Sequence, residues 1–427
     1  MLYRHILFFL LLISDVYRIW KKMITASQQK KPLPKEVRDI YTPEKYQEFL
    51  NRERDYVPLW ILSLCIHIVF NAFVIYSPFY RWMEKLGKGS PYGIMIATVL
   101  CVEFIESVLR LPRAYYSTFV IEEKYHLNKM SRKEFIKDEL IELVTELFAD
   151  FAIYGLLIFV CLHISEWTGG FQISYLQSFV ITVLLAVIGA AVTFAISIIV
   201  YFIQRMQYTY TDLPQGELRD KINGLCEGAK RKIRRIEVYS ESKKSTRKNA
   251  YMLKILWYRA FGIADNYLDE NSERELLSVL AHEAGHLKHK NDLLDYLRFI
   301  PVPVILILLT LLLPNAGMIR NLADAINQSF GLSADNYILL FSFVSAILSP
   351  LIFAFSVYAN YVSRRNETEA DLNAVKEGYG KELADTFRQM GSDELIDVNP
   401  APVIVFLEHD HPAIVNRVQT IESAMDS

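Results

Sequence analysis

Cysteine is scarce: the 427-residue chain has four. Cys65, Cys101 and Cys161 lie in apolar stretches, Cys226 stands alone in a polar one, and no C-x-x-C pair exists. That pattern excludes a disulfide frame and a thiolate zinc site and leaves free thiols. Net charge is nearly missing as well, a formal −2 at pH 7, so the charge balance offers nothing to nucleic acid. What is present is apolar. Hydrophobic residues make up 52% of the chain and charged ones 22%, and the two are strongly segregated, so this is neither a small soluble domain nor a disordered chain.

Residues 3–20, 56–80, 92–112, 145–166, 175–203, 296–314 and 337–358 are each long enough, or nearly so, to cross a bilayer, which predicts about seven spans. The first is short and follows Arg4, so a cleaved signal peptide is the competing reading. No small-x-small cleavage site follows Leu12, and a retained anchor is expected. The loops after spans 1, 3 and 5 and the C-terminal tail hold most of the Lys and Arg, including Lys21, Lys22, Lys30, Lys31 and Lys35. The positive-inside rule then places the N-terminus in the lumen and the C-terminus and central loop in the cytosol. Glu103, Glu106 and Arg110 lie on span 3 at helical spacing, and Glu142, Glu146 and Asp150 recur every four residues into span 4. Such groups are costly in hydrocarbon, so they should pair with one another or face a water-filled interior.

The central loop contains His282-Glu283-Ala284-Gly285-His286, an H-E-x-x-H. On a helix, positions i and i+4 share a face, so His282 and His286 can aim their imidazoles at one Zn²⁺. Glu283 stands one step round, suited to polarising a water rather than to ligating. Ser272 and Glu275 form an S-x-x-E capping box ahead of an apolar run into the motif, which predicts the helix.

A catalytic zinc needs a third protein ligand and an open position. The extended pattern H-E-x-x-H-x-x-G-x-x-H fails, because residue 289 is His and residue 292 is Asp. His289 is a turn too far along the helix for comfortable coordination. The alternative is a carboxylate from a later helix. Glu367 and Asp371, four apart after span 7, share a face, so one could bind metal while the other orients a histidine. A solvated, salt-bridged helix start would look the same.

H-E-A-G-H followed by Arg364-Arg365-Asn366-Glu367-Thr368-Glu369-Ala370-Asp371, with two apolar spans between, resembles the type I CAAX prenyl proteases. Leu213-Pro214-Gln215-Gly216-Glu217-Leu218-Arg219 resembles that family's L-P-x-G-E-L-R. Lys248-Asn249-Ala250-Tyr251 resembles its S-N-A-Y, residues 116–123 its Y-S-T-F-V-I-E-E, and His411-Pro412 with Arg417 its H-P-x-x-x-x-R. Two departures stand out. Lys248 replaces the small residue before Asn249, and residues 257–263 replace the basic-aliphatic strand. The C-terminus also lacks a dilysine retrieval signal.

The resemblance implies an all-α polytopic membrane protein, with about seven transmembrane helices around an internal cavity. A small, mainly helical, zincin-like metalloprotease domain would sit on the cytosolic side. Residues 1–204 would hold spans 1–5, 205–295 the catalytic domain, 296–358 spans 6–7, and 359–427 the segment with the third ligand. It implies one Zn²⁺ per chain on His282, His286 and Glu367, with Asp371 behind them. Glu283 would be the general base, His411 would lie near the reacting carbonyl, and Asn249 and Arg417 would contact substrate. The expected activity is removal of the C-terminal tripeptide from prenylated CAAX proteins at the endoplasmic reticulum membrane, with membrane lipid and no nucleic acid as the other partner. The rivals are a general membrane quality-control metalloprotease, and a transporter or scaffold with an incidental zinc site. The second leaves Glu283 without a role.

Overall fold

The computed structural model describes residues 1–167, 174–227, 233–255, 258–270, 273–288, 316–333 and 336–426. The expected sixth span, the capping Ser272 and His289 lie outside the described residues.

Helices α1 (Leu2–Gln28), α2 (Pro43–Tyr76), α3 (Phe79–Leu86), α4 (Pro91–Tyr116), α5 (Arg132–Trp167) and α6 (Tyr175–Arg205) fill the N-terminal half. Their starts are encoded locally. The Thr42 and Ser90 side chains accept from N–H groups of the first turn, each ahead of a proline at the first helical position. Ser174 and Gln177 form a reciprocal capping box. Among the described residues four helices are long and apolar enough to cross a membrane: Pro43–Tyr76, Arg132–His163, Phe179–Arg205 and Tyr337–Lys376. These carry the second, fourth, fifth and seventh expected spans. The first and third expected spans are continuous helices, α1 and α4, but not among the four; α1 carries Arg4, Asp15 and Arg18, and α4 carries Glu103, Glu106 and Arg110. Leu176, Phe179, Val187 and Phe202 stand exposed along α6, a surface suited to lipid and not to water.

The 36 residues of α5 make it about 54 Å long, well over the roughly 30 Å of a hydrocarbon core. It therefore starts far ahead of residue 145, and its first turns bring carboxylates to α4. Arg110 Nη1 lies 2.6 Å from Glu146 and 3.3 Å from Glu142, and its Nε 3.6 Å from Glu139. Glu106 and Asp150 instead line a cavity of about 230 Å³ with Asn71, Thr98 and Tyr154. One set of carboxylates is thus paired, and the other lines a small, partly open pocket.

The second half begins with β1 (Tyr210–Asp212), α7 (Glu217–Leu225), β2 (Arg235–Tyr239), β3 (Ala250–Ile255), β4 (Tyr258–Ala264), α8 (Asp265–Glu270) and α9 (Glu273–Lys288). It ends with α10 (Ala316–Ser329), α11 (Tyr337–Lys376), α12 (Gly380–Asp393), α13 (Pro402–Glu408) and α14 (Ile414–Met425). The four strands form one sheet in the order β1-β2-β4-β3, with β2 and β4 parallel and the outer pairs antiparallel. This corrects the all-α expectation. β4 is buried at six of its seven residues, so it lacks the alternation that marks a half-exposed strand, and a short buried run cannot be told from helix by period. The segment at 257–263, read as a replacement for the family's strand, is from Tyr258 onward the strand at the sheet's centre. Ile236, Phe261 and Ile263 of the sheet pack against Leu276, Leu277 and Leu280 of α9 and against Leu383, Val418 and Ile421. That core fixes α9 beside the edge strand β3.

Candidate metal centre

Two helices build the site. α9 carries the H-E-x-x-H, and α11 carries Glu367 and Asp371. The carboxylates, expected on a later helix after span 7, lie on the same helix as the span, beyond its apolar half. α11 runs unbroken for 40 residues, from an apolar first half into the ligand-bearing second half.

The helices meet closely because residue 285 is glycine. A Cβ there would stand 2.8 Å from Ala370 Cα and 3.1 Å from Asn373 Cβ. The crossing is then locked by polar contacts. Asn373 Nδ2 donates to the Ala281 carbonyl at 2.8 Å, and Lys288 Nζ donates to Asn373 Oδ1 at 3.0 Å and to Glu377 at 2.8 Å.

This contact brings three residues together. His282 Nε2 lies 3.3 Å from Glu367 Oε2, and His286 Nε2 lies 3.1 Å from Glu367 Oε1. One ligand atom from each falls within 4.8 Å of the others. Ligands about 2.0–2.1 Å from a tetrahedral zinc stand about 3.3–3.4 Å apart, so this trio is close to the required spacing. Glu367 Oε2 is buried and makes no hydrogen bond, although His282, Arg417 and His411 nitrogens stand 3.3–3.5 Å away, so it is an oxygen that a cation would satisfy. Two imidazoles and a carboxylate also match the donor set of a catalytic zinc. The residues present fit the metal.

Behind the trio, Asp371 Oδ1 lies 2.8 Å from His282 Nδ1 and fixes the ring. Arg417 grips Asp371 with two hydrogen bonds, of 2.9 Å and 2.7 Å, while its guanidinium lies over the Phe387 ring. Asp371 is 1% exposed, so the pair is dry and the arginine compensates the carboxylate's charge. Burial alone would push the His282 pKa down, but the neighbouring Asp371 and Glu367 carboxylates outweigh it and raise it to about 9. Burial favours a protonated Glu367, yet the two histidines hold its carboxyl far below the usual range. The site is thus an anionic cup that gathers positive charge.

The remaining predicted residues take distinct places. Glu283 is half-buried, beside the trio on α9 and not part of it. His411 is about half exposed at the mouth, with Nε2 3.5 Å from Glu367 Oε2 and Nδ1 2.8 Å from Asp410. The Asp410 hydrogen bond raises its pKa against the pull of burial. Asn249 is exposed just before β3, its carbonyl accepting from the Ala264 N–H. Arg417, assigned by resemblance to substrate, points into the protein behind His282. Glu369, two residues beyond Glu367, faces away towards Arg365. Sequence reading missed Gly285 as a packing requirement and Asn373 as the crossing's lock. Nothing in a single chain marks Asn373, whereas the glycine inside a metal-binding helix was a signal in view.

Two family models match the chain. One, described as CAAX prenyl protease N-terminal with five membrane helices, matches residues 23–203; the other, Peptidase family M48, matches residues 212–425. The chain is 28% identical over 354 residues to the probable CAAX prenyl protease 1 of Schizosaccharomyces pombe, covering 80% of this chain and 70% of that one. It is 27% identical over 345 residues to CAAX prenyl protease 1 of Saccharomyces cerevisiae, covering 77% and 73%. A homologue from Arabidopsis thaliana is 24% identical over 401 residues, covering 91% and 90%. The fold is similar to the crystal structure of S. mikatae Ste24p, with a TM-score of 0.76 at 22% identity over 98% of this chain and 99% of that one.

Proposed function

Because the chain belongs to peptidase family M48, in its membrane-embedded CAAX prenyl protease 1 branch, we propose that this zinc metallopeptidase removes the C-terminal tripeptide from prenylated CAAX proteins. The observation that carries this reading is α11, one helix that is both a membrane-crossing segment and the bearer of Glu367. It sets the metal centre a fixed distance from the bilayer, where a lipid-modified cysteine can stay in apolar surroundings while its peptide bond reaches water.

In this reading His282, His286 and Glu367 hold one Zn²⁺ per chain, with Asp371 and Arg417 fixing His282. The metal supplies Lewis acidity, bringing the pKa of water towards about 7 and polarising the scissile carbonyl. Glu283 takes the proton of the attacking water and passes it to the leaving amine. His411, whose protonated form Asp410 favours, would donate from Nε2 to the oxyanion that develops on the carbonyl. The outer edge of β3 offers main-chain groups to an extended peptide, with Asn249 at one end of that edge. Seven spans, a cytosolic catalytic face and residence in the endoplasmic reticulum complete the reading, and loop charge supports the orientation.

The test is cleavage of a farnesylated C-a-a-X peptide by the purified protein, with the released tripeptide identified by mass spectrometry. Release of the tripeptide from the farnesylated peptide, and much less from its unprenylated twin, is expected. Equal cleavage of both, at scattered bonds, would favour the quality-control reading instead.

A further inference from the structure

The basic residues after the first helix have no part in the chemistry above, and the structure gathers several of them. Between the last turns of α1, the linker after it and the first half of α2 lies a cleft of about 720 Å³. Lys22, Lys30, Lys31 and Arg54 line it, and Glu53 is the one acidic residue among its lining. Glu53 is already engaged, 3.6 Å from Lys22, and Lys31 donates to Gln28 at 2.8 Å. Lys30 and Arg54 have no hydrogen-bond or ion-pair partner among the described residues, and both are exposed. Four cations thus share one cleft with a single lining carboxylate.

The depth of the cleft matters. Val57, where the apolar run of α2 begins, lines it, and Arg54 lies three residues earlier, about 4.5 Å along the axis. On α1, Lys22 follows directly on the apolar stretch that ends at Trp20. Lys22 and Arg54 therefore sit at headgroup level, with Val57 continuing the lining towards the hydrocarbon, while Lys30, Lys31 and Leu50 stand further out on the polar side. A basic pocket beside the membrane-spanning α2, polar at the headgroup end and apolar below, matches the shape of a lipid more closely than that of a free ion.

We propose that this cleft binds an anionic phospholipid, with the phosphates of its headgroup held by Lys30, Arg54, Lys22 and Lys31 and its acyl chain running past Val57 along α2. The proposal rests on the membrane-spanning character of α2 and not on the peptidase chemistry. The ligand binds by charge and by apolar contact together, so affinity requires both ends of the molecule and weakens as salt rises.

The test uses the full chain in an uncharged detergent, titrated with dioctanoyl phosphatidylinositol bisphosphate and followed by native mass spectrometry. The double variant Lys30→Glu/Arg54→Glu is expected to bind at least about tenfold more weakly, with its zinc content unchanged. A control with the same change in net charge on the remote surface, Lys376→Glu/Lys381→Glu, should bind like the parent. Dioctanoyl phosphatidylcholine and acyl-free inositol trisphosphate should bind poorly to all three. Equal binding by parent and double variant, an equal loss in the control, or inositol trisphosphate binding as tightly as the lipid would each overturn the proposal.

Discussion

The chemistry is divided among single side chains, and each can be probed alone. Glu283→Gln should keep the metal and lose about 10²–10⁴-fold in kcat, because an amide cannot accept the water's proton. Metal analysis beside steady-state rates on one preparation checks this, and appreciable turnover would remove Glu283 from the general-base role. Asp371→Asn should weaken metal affinity about 10–100-fold without abolishing it, since the amide still orients His282 but no longer balances Arg417. A chelator titration measures that loss, and an unchanged affinity would leave Asp371 a merely structural acid. At this scale the sequence was most readable. H-E-x-x-H spacing follows from helix geometry alone, and Glu367 and Asp371 shared a face by their four-residue interval. Arg417 was harder, because its partner lies 46 residues away and only folding shows that it faces Asp371 and not a substrate.

The elements carry a different kind of requirement. α9 and α11 must approach until Glu367 reaches both histidines, and Gly285 sets that approach. Gly285→Val should separate the helices, cost about 1–3 kcal/mol by overpacking, and lower metal affinity, although no ligand is altered. Thermal unfolding with and without chelator tests it, and full metal affinity would show that the crossing tolerates a side chain. A second element-level device holds His411. Tyr17 and Lys21 of α1 bind the two carboxylate oxygens of Glu408 at 2.8 Å and 2.7 Å, three residues before His411. From the other side, Arg364 donates to the carbonyls of Val405 and His409. The variant Tyr17→Phe/Lys21→Met should therefore lower kcat with little change in KM, and should add nothing to His411→Ala. Fully additive losses would mean that α1 acts elsewhere. The strands are where sequence reading failed. β4 and β2 are short and largely buried, and burial erases the alternation by which a strand is recognised. Helix lengths also escaped it, since α5 and α11 continue past their apolar segments as charged helices whose period alone does not say where the membrane stops.

On the scale of the whole molecule, α11 joins the membrane helices to the sheet-backed peptidase half, carrying an apolar segment and the site carboxylates on one helix. That joint makes topology and coordination one problem, because α11 is long and apolar enough to cross the bilayer and also packs against α9. Acceptor sites for glycosylation placed near residue 240 and at the C-terminus should therefore behave alike, both unmodified if they face the cytosol. Modification of only one would break the orientation and the proposed ligand set together. The central claim is that α9 and α11 jointly form a catalytic zinc centre. It is tested most directly by metal content and farnesyl-peptide turnover measured side by side on the parent, Glu283→Gln and Glu367→Ala. The account predicts one zinc and activity in the parent, one zinc without activity in Glu283→Gln, and neither in Glu367→Ala. Full zinc in a folded Glu367→Ala protein would contradict it, because the third ligand would then have to come from outside α11.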